Sequence, residues 1–177
     1  MLGIFLSSLS FAATLAGVEM PNHIQSENRE LHLNGMGLRE RLSFDIYVAG
    51  LYAPFKSSDP SRLLRHSIPK QIHCEIIFPK VPKSRMISTM TDNLKNNPDV
   101  SPEVAQKMQS LLSSLDDLVK GDKMSFEYHP KTGLTLKING EIKGHDTDKD
   151  FISGVFGMYL GDYPVSKNLK SGLLGEQ

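Results

Sequence analysis

Few residues in this chain have a type and spacing suited to chemistry, and the first of them fall between Arg39 and Tyr47. Arginine presents a planar, permanently charged fork of donors that fits a carboxylate or a phenolate. Tyrosine adds a hydroxyl that can donate to the same anion. Both lie in GLRERLSFDIYVAGLY, residues 37–52, where Leu42, Phe44, Ile46 and Val48 occupy every second position. Ser43, Asp45, Tyr47 and Ala49 fill the gaps, which is the period of a half-buried β-strand with its apolar face on a core. An unbroken strand sets Arg39, Arg41 and Tyr47 together on the opposite face. Gly50 follows, where a backbone can be approached closely or can bulge. Taken alone, an arginine such as Arg39 is more often a surface or ion-paired residue, and a tyrosine such as Tyr47 more often a packing residue with a polar handle.

Other reactive side chains form no set. Cys74 is the one cysteine, so no intramolecular disulfide exists. It alternates with Ile72, Ile76 and Phe78, which predicts a buried, inert thiol. His73 and Glu75 share the other face of that strand and make half a metal site, but no third ligand declares itself, so no metal is expected. His32, between Leu31 and Leu33, reads as a solvent-side strand residue. The DTDKD run, residues 146–150, opens like a calcium loop but carries Phe151 and Gly157 where that loop needs glycine and glutamate. Helix capping by acidic residues is the better reading. No phosphate loop, HExxH, CxxC or GxSxG is present, and no cofactor is expected.

The elements that must position Arg39 and Tyr47 follow from periodicity. The 177 residues suit one domain with its own core. Lysine plus arginine number 20 and aspartate plus glutamate 20, a balance that argues against nucleic acid or an anionic membrane as partner. Residues 1–16, MLGIFLSSLSFAATLA, are uncharged and too short for an ordinary membrane span. They read as a secretory leader with cleavage after Ala16 or Ala12, and residues 17–177 as a single domain, periplasmic or secreted.

Two short strands are expected over 17–34, with Asn34-Gly35 as a turn, then the strand carrying Arg39 and Tyr47. Asp59-Pro60 opens a short helix, and Lys70–Phe78 alternates as a strand. One helix runs from Ser84 to about Asn97 and another from Ser101 to about Val119, both striped with methionine and leucine in the manner of plain core. Lys123–Tyr128 and Leu134–Ile138 make a hairpin through HPKTG, with a further short strand after Asn139-Gly140. Thr147 and Ser166 cap two last helices. Strands followed by helices predict an α+β fold, an antiparallel sheet covered by helices on one face.

Three segments together resemble the chalcone isomerase-like superfamily, in its bacterial branch: GLRERLSFDIYVAGLYAP, LKINGEIKG and DFISGVFGMYLGDYPVSKNLKSGLLG. The resemblance covers residues 17–175 and implies an open-faced β-sandwich, a long antiparallel sheet under a helical layer with a cleft between them. It implies a ligand-binding set of Arg39, Tyr47, Met86 and Asn93. Arg39 looks like the family arginine that holds a substrate anion. Asn93 matches the helix asparagine of the enzymes, whereas their helix tyrosine falls on Met86 and their strand threonine on Tyr47. Loss of that helix hydroxyl removes one of the donors needed to polarise a ketone. The expected function is therefore a non-catalytic binding protein for an apolar or amphipathic small molecule such as a fatty acid. The alternatives are a chalcone isomerase-type intramolecular lyase and a structural or partner-binding envelope protein.

Overall fold

A computed structural model describes residues 12–176. Most of the expected leader lies outside the described residues; its last part, Ala12–Leu15, forms strand β1 and pairs with β2, Val18–Pro21. The main sheet is antiparallel throughout. It comprises β3 (His23–Ser26), β4 (Arg29–Arg41), β5 (Phe44–Ala53), β6 (Lys70–Ile76), β9 (Lys123–His129), β10 (Gly133–Ile138) and β11 (Glu141–Asp146). Their spatial order is β11-β10-β9-β6-β5-β4-β3. A small pair, β7 (Lys80–Val81) and β8 (Leu118–Val119), stands apart. Five helices complete the described residues: α1 (Pro60–Leu63), α2 (Lys83–Lys95), α3 (Pro102–Ser113), α4 (Lys149–Leu160) and α5 (Lys167–Leu173).

The sheet is buried along its inner face and, on its outer face, over β4 and β5. Its inner face, with Ala49, Leu51, Ile72, Cys74, Phe126 and Leu136, packs on the helices. Its outer face, with Leu31, Leu33, Val48 and Tyr52, is covered by Val18 and Met20 of β2. Cys74 is buried, as its alternation predicts, and burial pushes its thiol up to about 12. The sheet is curled, and the β3–β4 turn reaches the β9–β10 turn: Glu27 pairs with His129 at 3.1 Å and accepts from Thr132 at 2.8 Å.

The arginine-bearing strand is not the single element its alternation predicts. Leu42 and Ser43 take positive φ (49° and 65°) and form a two-residue turn, so residues 29–53 are a long hairpin. Leu42 is 82% exposed and Phe44 59%, so neither turns to the core as expected. The expected turn at Asn34-Gly35 is instead a bulge within β4, with Asn34 the extra residue. Its side chain explains why: Asn34 donates to the carbonyls of Ser57 and Leu173 and accepts from the Ser57 N–H, so a buried polar group is fully partnered.

That bulge decides which way the arginine points. A one-residue offset swaps the faces of every residue beyond it. Leu31 and Leu33 therefore share the outer face with Met36 and Leu38, while Gly35, Gly37 and Arg39 turn inward under the helices. The two glycines are required by α5. A Cβ on Gly37 would lie 2.5 Å from the Leu169 carbonyl oxygen, and one on Gly35 would collide with the Gly172 carbonyl. Helix α5 thus rests directly on the β4 backbone.

Helices α1, α4 and α5 begin at capping side chains, whereas α2 starts after Pro82 and α3 after Ser101 with no side-chain cap bond. Asp59 and Ser166 cap α1 and α5 as expected. Asp148 rather than Thr147 caps α4, accepting from the Asp150 and Phe151 N–H groups, and it binds Lys107 at 2.5 Å. The α3 stripe stops at Ser113, short of Val119, because Asp117 accepts from the Lys83 N–H at 2.8 Å and pairs with Lys80 at 2.9 Å. Those contacts draw the chain toward α2 and leave Leu118–Val119 to form β8. No helix among the described residues is long and apolar enough to cross a membrane.

Candidate functional site

A cavity of about 510 Å³ opens between the inner face of the sheet and the helices, near the β4–β5 turn. That size falls within the range of about 300–1,000 Å³ usual for small-molecule sites. Its floor is β5, β6 and β9, through Tyr47, Ile76 and Met124, and its roof is α2 and α4, through Met86, Met90, Met158 and Tyr159. Phe44, Ile46 and Phe78 border it, and β7 and β8 contribute Lys80, Val81 and Leu118. The wall is mostly apolar. The charged residues that line it, Arg39, Arg41, Lys80 and Arg85, are all cationic.

Arg39 and Tyr47 are directly opposed partners of the β4–β5 hairpin. Opposed residues of antiparallel strands project to the same face, so the two side chains share the cavity side. Sequence parity placed them together on the assumption of one strand; the hairpin places them together by cross-strand pairing. Arg39 donates through Nη1 to the neighbouring Glu40 carbonyl and forms no ion pair among the described residues. Arg41 and Arg85 likewise have no carboxylate partner there, whereas Lys80 is held by Asp117.

Met86 lies on the cavity wall. Asn93 does not: one turn beyond Met90 on α2, its amide donates to the Tyr163 carbonyl at 3.1 Å. Of the four expected residues, the fold thus brings Arg39, Tyr47 and Met86 to one cavity and sets Asn93 at the α2–α4 boundary.

A further residue completes the polar end. Tyr159 of α4 is 1% exposed and lines the cavity, and its hydroxyl lies beside the Tyr47 hydroxyl and the Cys74 thiol without a hydrogen bond of good geometry to either. Other buried tyrosines are satisfied: Tyr52 donates to the Pro21 carbonyl and Tyr128 to the His66 carbonyl. Burial pushes the Tyr159 hydroxyl well above its ordinary range, with the Cys74 thiol and the Tyr47 hydroxyl beside it adding to the rise. Burial also raises Tyr47, against a smaller opposing effect of the Arg39 charge. Both hydroxyls are therefore neutral donors at physiological pH. In the sequence Tyr159 reads only as part of the α4 apolar stripe, and nothing local separates it from Phe156 or Met158. The signal is a polar atom left unpaired in a buried place, which a fold alone reveals.

The arrangement, an arginine fork and two phenolic hydroxyls in the wall of an apolar chamber, has the chemistry to hold an amphipathic anion. The sequence pattern of the chalcone isomerase-like family matches residues 12–175, and the chain belongs to that family. Among solved structures it is similar to a fatty-acid binding protein of Arabidopsis thaliana, with a TM-score of 0.73, 18% identity, and coverage of 94% of this chain and 97% of that one. The likeness shows the shared fold. No curated protein matches the chain.

Proposed function

We propose that the protein binds a fatty acid, or an apolar acid of similar shape, with its carboxylate at Arg39, Tyr47 and Tyr159 and its hydrocarbon tail along the methionine-lined wall. The observation that carries this reading is the cavity itself: an apolar chamber whose charged lining residues are all cationic, with two buried tyrosines, Tyr47 and Tyr159, in its wall. The related fold of a fatty-acid binding protein supports it. Removing about ten methylenes from water would supply roughly 8 kcal/mol before the costs of association. A charge-assisted contact at Arg39 adds about 1.5–3 kcal/mol. Tail burial therefore dominates affinity, and the head group sets orientation.

The site offers donors and no general base. Neither tyrosine ionises in the neutral range, and no histidine or carboxylate lines the chamber. This favours binding over turnover. The test is titration of wild type and Arg39→Ala with a fluorescent fatty acid, beside thermal melts of both. Arg39→Ala should weaken binding by about one to two powers of ten, and Arg39→Lys should recover only part of it, because lysine keeps the charge and loses the fork. Equal affinity with a lower melting temperature would make Arg39 a structural residue and remove the carboxylate from the reading.

A further inference from the structure

At the far end of β4 from the cavity, three ligand-type side chains converge on the solvent side of the β3–β4 hairpin. His23 and His32 are directly opposed strand partners, and Glu30 lies two residues before His32 on the same strand. The period of a strand therefore puts all three on one face. The His23 and His32 Nδ1 atoms are 2.8 Å apart, and the nearest Glu30 oxygen is 3.6 Å from the first and 3.9 Å from the second. We propose that His23, Glu30 and His32 form a binding site for one divalent transition-metal ion.

The distances suit coordination of one ion by all three groups, where hydrogen bonding joins only two of them. Two donors bonded to one ion at about 2.1 Å can be at most about 4.2 Å apart, and adjacent donors at a right angle are about 3 Å apart. All three separations fit within the first limit, and the imidazole pair sits near the second. As a hydrogen-bond set the same atoms are only partly matched: the imidazole pair at 2.8 Å makes one bond, and Glu30 joins neither ring. The two facing nitrogens need one Nδ1 proton between them, and at 3.6 and 3.9 Å the Glu30 carboxylate is beyond hydrogen-bond reach of both. An ion would satisfy all three lone pairs together. His32 has Ala53 as its partner on the other side, so β5 brings no competing charge there.

The donor set selects the class of ion. Two imidazoles and one carboxylate suit zinc, nickel, copper or ferrous iron, and not calcium or magnesium, which require oxygen ligands. Three protein ligands leave the remaining positions to water. The position suggests the role: β3 is a four-residue edge strand, and an ion held from both β3 and β4 would clamp it in place. Sequence alone gave no metal set, because His23 and His32 are nine residues apart and only the hairpin register joins them. From Glu30 to Arg39 the strand runs roughly 30 Å, so the proposal is independent of the fatty-acid reading.

Tag-free protein, stripped with a chelator, should be titrated calorimetrically with zinc, nickel and calcium chlorides. Zinc or nickel should bind at one ion per chain in the micromolar range and raise the melting temperature, because the ion binds only the folded hairpin. His23→Asn and His32→Asn should each weaken binding at least about 100-fold and Glu30→Gln about tenfold. His145→Asn should leave it unchanged, and circular dichroism should show every variant folded. Calcium should not bind. Absence of saturable zinc or nickel binding, or equal binding by wild type and both histidine variants, would overturn the site.

Discussion

Replacing Tyr159 by phenylalanine should make the free protein more stable and the ligand bind more weakly. The two effects have one origin. In the free protein the Tyr159 hydroxyl is buried beside the Tyr47 hydroxyl and the Cys74 thiol, with a well-formed hydrogen bond to neither. A buried polar group without a partner costs about 1–3 kcal/mol, and removing it with the ring retained recovers part of that. A gain of about 1 kcal/mol corresponds to a rise of about 2–4 °C in melting temperature for a chain of this size. In the complex the same hydroxyl is expected to donate to the ligand carboxylate, a charge-assisted bond contributing about 1.5–3 kcal/mol. Tyr159→Phe should therefore weaken fatty-acid binding about ten- to a hundredfold. Thermal melts of the apo protein and displacement of a fluorescent fatty acid measure the two quantities separately. Tyr47→Phe supplies the comparison: the two hydroxyls are electrostatic neighbours, so the double variant should lose less than the sum of the single losses. A lower melting temperature with unchanged affinity would show that the hydroxyl serves the fold, and would refute its place in the head-group site.

Three further outcomes follow. Gly37→Ala should destabilise the fold by at least about 2 kcal/mol in urea denaturation, because its Cβ meets the Leu169 backbone rather than a yielding side chain; a midpoint unchanged from wild type would show that α5 does not rest on β4. Burial holds the Lys70 ammonium down at about 8, below its ordinary 10.5, so above pH 8 the unfolded chain binds a proton that the folded chain does not. This contribution to stability rises with pH, whereas the raised Cys74 and Tyr52 act oppositely above about pH 9. Measured against Lys70→Met, which cancels the other groups, wild type should gain about 1 kcal/mol between pH 7 and 9; a constant difference would show that Lys70 is not desolvated. Finally, a chalcone mixed with the protein should cyclise no faster than in buffer, and a clear acceleration abolished by Arg39→Ala would restore the isomerase reading.

The regular elements were legible because their signals are local. The 123–138 hairpin, the Asp59 and Ser166 caps and the burial of Cys74 each rest on residues within a turn or a strand of one another. What misled was chemistry settled at a distance. Leu42 and Ser43 are poor turn formers, and the apolar alternation continues through them. Asn34-Gly35 carries a turn signature, but Ser57 and Leu173 reach in to satisfy it as a bulge. The α3 stripe ends early because Asp117 is held by Lys80 and the Lys83 N–H. For the site, parity found Arg39 and Tyr47, whereas Tyr159 and the His23–His32 pair emerged only from tertiary register.

The seating of α5 on Gly35 and Gly37 bears on selectivity. The strand that carries Arg39 is pressed between a helix backbone on one side and the Val18–Met20 cluster on the other, so the proposed anchor for a head group has little freedom to shift. The rest of the lining is different in kind. Met86, Met90, Met124 and Met158 are unbranched, polarizable side chains that repack at small cost. A ligand in this chamber would meet a fixed gauge at one end and a compliant lining at the other. Such a site would be exacting about the acid group and indifferent to a few carbons more or less in the tail, admitting a range of chain lengths while rejecting their alcohols and esters.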